Sequence, residues 1–117
     1  MAKAVIVGGV RTPIASHGGA FRTLTAQHLA SLVFQEAVIR AGIDASILDD
    51  VVLGCIGQQS DAPNIGRVAG LLAGIPVHVP GQTVQRNCVS GMVAITSACQ
   101  AIQAGDGQAF LLSLIHI

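Results

Sequence analysis

The chain has 117 residues, 51% hydrophobic and 10% charged, and six Lys and Arg balance six Asp and Glu to a formal net charge of zero. That length fits one domain, and with its few basic residues scattered the chain has no footprint for nucleic acid. So little charge would leave apolar surface poorly covered on a lone subunit, which predicts burial against another subunit or further polypeptide.

No apolar run approaches the roughly 20 residues needed to cross a bilayer. Residues 1–10 lack the charged start, long apolar stretch and cleavage site of a secretory leader, so the chain reads as cytoplasmic, with no membrane partner. Three cysteines, an odd count, point to a reducing compartment. Cys88 and Cys99 fall on one expected helix, roughly 16 Å apart along its axis. They cannot bridge without destroying that helix. No Cys and His pairs fall at ligand spacing, so neither a metal nor a bound cofactor is expected.

In chain order, Ala4-Val5-Ile6-Val7 is a β-branched run ending at Gly8-Gly9, which predicts a first buried strand. Val10 to Leu24 follows as a long loop. Its glycines match neither G-x-G-x-x-G nor G-x-x-x-x-G-K-[ST], which argues against nucleotide binding. Thr25 can cap a helix that runs to Ala41 and stops at Gly42. Leu29, Leu32, Val33, Ala37 and Val38 are expected to form its buried stripe. His28, in its first turn, reads as a surface or capping residue. Asp44 or Ser46 can cap a single turn before the second strand, Asp50 to Gly57. Cys55 within that strand reads as packing. Asn64 caps a helix through about Ala73, stopped by Gly74 and Pro76.

Pro80 to Gln85 is the third strand, and the stretch after it organises the rest. Arg86-Asn87 break the strand pattern, and Cys88 begins a nearly all-apolar helix to about Ala104. Its apolar positions Met92, Ile95, Ala98, Cys99 and Ile102 recur at helical spacing. A helix start has unpaired N–H groups and partial positive charge, which favour a thiolate, the nucleophilic form of cysteine. The plain alternative is a cysteine serving only as a small buried hydrophobe. Gly105-Asp106-Gly107 ends this helix, and Ala109 to Leu112 begins a fourth strand. The order β–α–β–α–β–α–β predicts an α/β fold, a mainly parallel sheet with helices on its faces.

Three of these segments resemble the thiolase family, in that family's order. The first is the loop with Arg11, Thr12, Pro13, Gly18, Gly19 and Phe21, which departs from the family pattern at Ala15 and His17. The second carries Leu53, Gly54, Gln58, Asn64 and Arg67, with Gly66 where the family has alanine and Ser60 and Ala62 where many members have glycine. Its form Ala62-Pro63-Asn64-Ile65 is similar to the 3-ketoacyl-CoA thiolases of fatty-acid β-oxidation. The third is Arg86-Asn87-Cys88-Val89-Ser90-Gly91, like the family's nucleophile region.

The resemblance implies an acyltransferase that works by covalent catalysis. Cys88 would form an acyl thioester with a 3-ketoacyl-CoA or acetyl-CoA substrate, with Asn87, Ser90 and Gly91 in supporting roles. Coenzyme A thioesters are then the substrates, and a homo-oligomer is the family's habit. In that family the second half supplies the activating histidine, a second cysteine, a water-holding asparagine and most coenzyme A contacts. His17, His28, His78 and His116 fit none of those motifs. Residues 1–110 thus read as a thiolase-like N-terminal domain. Residues 111–117, where the family has a glycine pair, read as a divergent apolar tail. The chain is expected to be an incomplete copy with low or absent activity. A ketoacyl-synthase-like condensing enzyme shares the cysteine-at-helix-start device, and a non-catalytic dimerising module would also fit the apolar composition. The Arg11-Thr12-Pro13 loop and the Asn64/Arg67 pair favour the thiolase reading.

Overall fold

A computed structural model describes residues 2–115. Its helices are α1 (Ala26–Ala41), α2 (Ile65–Leu72) and α3 (Ser90–Ala104), and its strands are β1 (Asp50–Cys55), β2 (Gly81–Val84) and β3 (Phe110–Ile115). A single 3₁₀ turn, Ala45–Ile47, joins α1 to β1. The strands are all parallel, in the order β2-β1-β3. The chain is therefore an α/β fold with helices on both faces of a parallel sheet.

Local chemistry sets most boundaries. Thr25 caps α1 by accepting the His28 N–H at 3.3 Å, and Gly42 ends it with φ 65°. Asn64 caps α2, and Gly105 ends α3 with φ 85°. These positive φ values lie where a Cβ is penalised, so glycine is the residue that stops each helix cleanly.

Crossovers between parallel strands are right-handed almost without exception, and that rule divides the layers. The chain moves from β1 to β2 in one direction and from β2 across to β3 in the other, so α2 and α3 fall on opposite faces. α1 joins α2 on its face, whereas α3 packs on the sheet alone. Alternation along β1 follows: Val51, Leu53 and Cys55 join Phe34, Ile65 and Ala69 in the main core. Val52 and Gly54 point the other way. Because β1 is covered on both sides, it reads as an unbroken apolar run, with Val51 to Cys55 all buried.

Two expectations need correction. Ala4–Val7 forms no strand, and Val5, Ile6 and Val7 are 68–82% exposed. β-branched residues give a run strand propensity, but a strand forms only against a partner. Here a groove of about 890 Å³ separates this segment from β3 and α1. Of the expected α1 stripe, Leu29, Ala37 and Val38 are half-buried against the core, whereas Leu32 lies 52% exposed and the fully buried positions are Ala26, Gln27, Ala30, Ser31 and Phe34. The main partner of α1 is α2. Small Ala26 and Ala30 let the helices approach; Gln27 donates to Asp61 and Ser31 to the His28 carbonyl, while Gln27 Oε1 is buried without a partner. α3 lies on the sheet by its small side chains. Ser90, Ala94 and Ala98 face the sheet, and Met92 and Ile95 point outward. Periodicity marks an apolar stripe but not which apolar side chains are small enough to lie on a sheet.

The residues set apart as a tail supply Leu111 to Ile115 of β3, paired with Val51 to Cys55; His116 and Ile117 lie outside the described residues. Asp49 ties the start of β3 to β1, its carboxylate accepting the N–H groups of Gln108 (2.6 Å) and Ala109 (3.0 Å). Those bonds, Gln108 first, hold the Asp49 carboxyl below its ordinary value. A carboxylate with a lowered folded-state pKa adds stability that is full above the unfolded value, about 3.9, and lost as pH falls through the folded one. Asp49→Asn should therefore have a lower urea midpoint than the unsubstituted chain at pH 7. The two midpoints should converge as pH drops below about 4; a gap that persists unchanged at pH 3 would contradict the account.

Candidate active site

At the carboxyl ends of the parallel strands, where α/β sheets commonly bind ligands, β2 leaves the sheet at Val84 and the chain reaches α3 within five residues. Asn87 makes this sharp turn possible. Its φ is 49°, the left-handed region that asparagine tolerates better than most side chains, and its N–H donates to Gln85 Oε1 at 3.1 Å. The Val89 and Ser90 N–H groups then donate to the carbonyls of Arg86 and Asn87, at 3.2 and 3.1 Å. Between them stands Cys88, exposed to solvent and free.

The helix begins two residues later than the sequence suggests: Val89 is the N-cap, without a side-chain cap bond, and α3 starts at Ser90. Cys88 therefore precedes the helix rather than occupying its first turn. The reason lies in Asn87, whose left-handed backbone delays helical geometry until the turn is complete.

Ser90 is fully buried and closes the turn from below. Its Oγ accepts the Arg86 N–H at 2.8 Å and donates to the Asn87 carbonyl at 2.7 Å. Gly91 rests on β3: a Cβ there would lie 3.0 Å from Leu114 Cβ and 3.1 Å from its Cδ2. Asn87, Cys88, Ser90 and Gly91 thus share one turn. What it can do chemically is present an exposed thiol beside the N-terminus of a fifteen-residue helix.

β2 is itself clamped to α2. Asn64 Oδ1 accepts the Arg67 N–H and the Thr83 hydroxyl (2.8 Å), and its Nδ2 donates to the Gly81 carbonyl at 2.9 Å. The Gly66 N–H donates to Thr83 Oγ1, and the Arg67 guanidinium to the carbonyls of Val77 and Val79. A Cβ on Gly66 would collide with the Gln82 carbonyl oxygen. At this departure from the family pattern, α2 lies closer on β2 than an alanine permits.

The other cysteines differ in setting. Cys55 is buried in β1, and burial pushes its thiol up despite a bond from the Gly57 backbone. Cys99 is half-buried on α3. His78 bonds the Ser46 carbonyl at the opposite end of the sheet, and His28 bonds Thr25 at the start of α1, on the face away from α3. Among the described residues no cluster of three His, Cys, Asp or Glu side chains gathers as a metal site, and no helix is long and apolar enough to cross a membrane. Gly54, which the sequence singled out only as part of a motif, proves to sit directly against the Cys88 turn, and Asn64, expected only as a helix cap and motif residue, also holds β2.

The family described as "Thiolase, N-terminal domain" matches residues 4–113. The chain is 45% identical over 109 residues to a 3-oxoadipyl-CoA/3-oxo-5,6-dehydrosuberyl-CoA thiolase of Escherichia coli strain K12, covering 92% of this chain and 27% of that protein. It is 39% identical over 102 residues to an acetyl-CoA acetyltransferase of Syntrophomonas wolfei, covering 87% and 26%. The crystal structure of a Bacillus anthracis acetyl-CoA acetyltransferase superposes with a TM-score of 0.91 at 44% identity, covering 94% of this chain and 28% of that one. The chain spans about a quarter of the length of these relatives.

Proposed function

Because this chain belongs to the thiolase family through its N-terminal domain, we propose that it carries the nucleophile-bearing part of an acyltransferase acting on coenzyme A thioesters. The single observation that carries the reading is the placement of Cys88, solvent-exposed in the β2–α3 turn at the carboxyl ends of the strands. The Cys88 thiolate attacks the thioester carbonyl carbon of an acyl-CoA. An S–C bond forms, and the carbonyl oxygen takes the negative charge. Collapse of that adduct breaks the carbon–sulfur bond to coenzyme A, which leaves as a thiolate, and an acyl group stays on Cys88. With a 3-ketoacyl-CoA the thiolate adds to the keto carbon instead, the carbon–carbon bond between that carbon and C2 breaks, the shortened acyl group stays on Cys88, and the departing acetyl-CoA carbanion takes up a proton.

Asn87 and Ser90 fix the turn, and Gly91 lets the helix start lie against β3. Aimed N–H donors at the developing oxyanion are worth roughly 3–4 kcal/mol each in comparable sites. Among the described residues no histidine is bonded to the Cys88 turn, so acylation is expected to be slow and turnover low for this chain by itself. The outward Met92 and Ile95 support assembly with further polypeptide, a homo-oligomer in this reading. Free cysteines support a cytoplasmic setting.

Incubation with acetyl-CoA followed by peptide mass spectrometry tests the proposal. An acetyl group is expected on the Cys88 peptide, removed by hydroxylamine as a thioester is, and absent from Cys88→Ala. Labelling spread equally over Cys88 and Cys99 would overturn it.

A further inference from the structure

Glycine within a strand weakens it, and its presence there commonly marks a close backbone approach. Gly54 is such a residue, in the middle strand of the sheet. A Cβ at this position would lie 2.7 Å from both the carbonyl carbon and oxygen of Ser90 and 2.8 Å from the Gly91 nitrogen. All three are backbone atoms of the first peptide of α3, so no side chain can swing aside to make room.

Gly54 also touches the other arm of the Cys88 turn. In register it pairs with Val84, the last residue of β2, and on its other side with Leu114, on which Gly91 rests. The chain thus leaves the sheet beside Gly54, passes through Cys88 and returns to lie across Gly54. Any displacement of Ser90 is passed back through its Oγ, which holds both the Arg86 N–H and the Asn87 carbonyl.

We propose that Gly54 is a positioning residue for Cys88: its missing side chain sets the height of the α3 start above the sheet, and Ser90 transmits that height to the thiol. This rests on the reading of Cys88 as the nucleophile. A methyl group at residue 54 would lift the Ser90–Gly91 peptide by on the order of 1 Å to restore ordinary contact, a shift on the scale that costs up to about 100-fold in an aligned reaction.

Chains carrying Gly54→Ala, Ser90→Ala or Gly70→Ala are compared by iodoacetamide alkylation across pH, with Cys88 and Cys99 followed separately by mass spectrometry. Gly70 is the control, since a Cβ there meets Val51 at an ordinary 3.8 Å. Gly54→Ala should lower the Cys88 rate at pH 7 by about two- to fivefold, the typical span of helix-terminus effects on a neighbouring charge. It should also displace the Cys88 pH–rate profile and leave the Cys99 profile in place. Ser90→Ala, which adds no volume, should move the Cys88 profile too, and decides the matter if Gly54→Ala does not fold. Gly70→Ala should change neither cysteine. A Cys88 profile unmoved in Gly54→Ala, or in Ser90→Ala where that variant decides, overturns the inference, as does an equal displacement in Gly70→Ala. If acetyl-CoA leaves no adduct on the unsubstituted chain, the acyl-transfer reading fails, whereas the alkylation profiles still decide the role of Gly54.

Discussion

Phe34→Ala is expected to lower the unfolding free energy by about 3–5 kcal/mol, the usual cost of emptying a buried aromatic site. Phe34 is the largest fully buried side chain, 1% exposed, and the chain has no Trp or Tyr to share that load. It projects from α1 into the cluster formed by Leu53, Ile65 and Ala69. The loss has two parts: apolar surface no longer withdrawn from water, and a cavity that small neighbours such as Ala30 and Ala69 cannot collapse to fill. Stabilities of domains this size are typically 5–15 kcal/mol, so the variant should approach the folding threshold. Urea denaturation would measure it. A midpoint displaced by less than the equivalent of about 1 kcal/mol would mean that the groove beside α1 lets the site relax.

Asn64→Ala is expected to cost about 2–4 kcal/mol, although it deletes only a small polar group. Losing an N-cap side chain costs about 1 kcal/mol. The Gly81 carbonyl and the Thr83 hydroxyl also lose their partner in a part-buried site, at about 1–3 kcal/mol for an unsatisfied group. Asn64→Asp isolates one contribution, since it keeps the oxygen that accepts from Arg67 and Thr83 but gives up the bond to the Gly81 carbonyl. Its denaturation midpoint should lie between those of Asn64→Ala and the unsubstituted chain. An Asn64→Asp midpoint equal to that of Asn64→Ala would show that the bond to the Gly81 carbonyl, rather than the cap, carries the whole effect.

Asn64 also shows how far local and non-local information diverge at this site. Its capping role is legible from a polar residue before an apolar run. Its grip on Gly81 and Thr83 is not, because nothing in the spacing tells which strand passes beside the start of α2. Cys88 is similar. A turn, a cysteine and a helix are readable in order, but the helix starts at Ser90 because of the left-handed Asn87. Gly54 left only a weak signal, a glycine inside a strand, and what it accommodates comes from a segment 36 residues away.

By itself the sequence determined where α1 and α2 begin and end and where α3 stops, that the strands run parallel, and that Cys88 stands between a strand and a helix. Caps, left-handed glycines and crossover lengths act within a few residues, so they are written locally. Tertiary structure alone decided which side of each helix is covered, that Ala4–Val7 goes unpaired, and what lies beneath the cysteine turn. Those outcomes depend on which backbone arrives from far along the chain and how closely it can approach. Side-chain volume on both partners settles that, and the pattern on one does not.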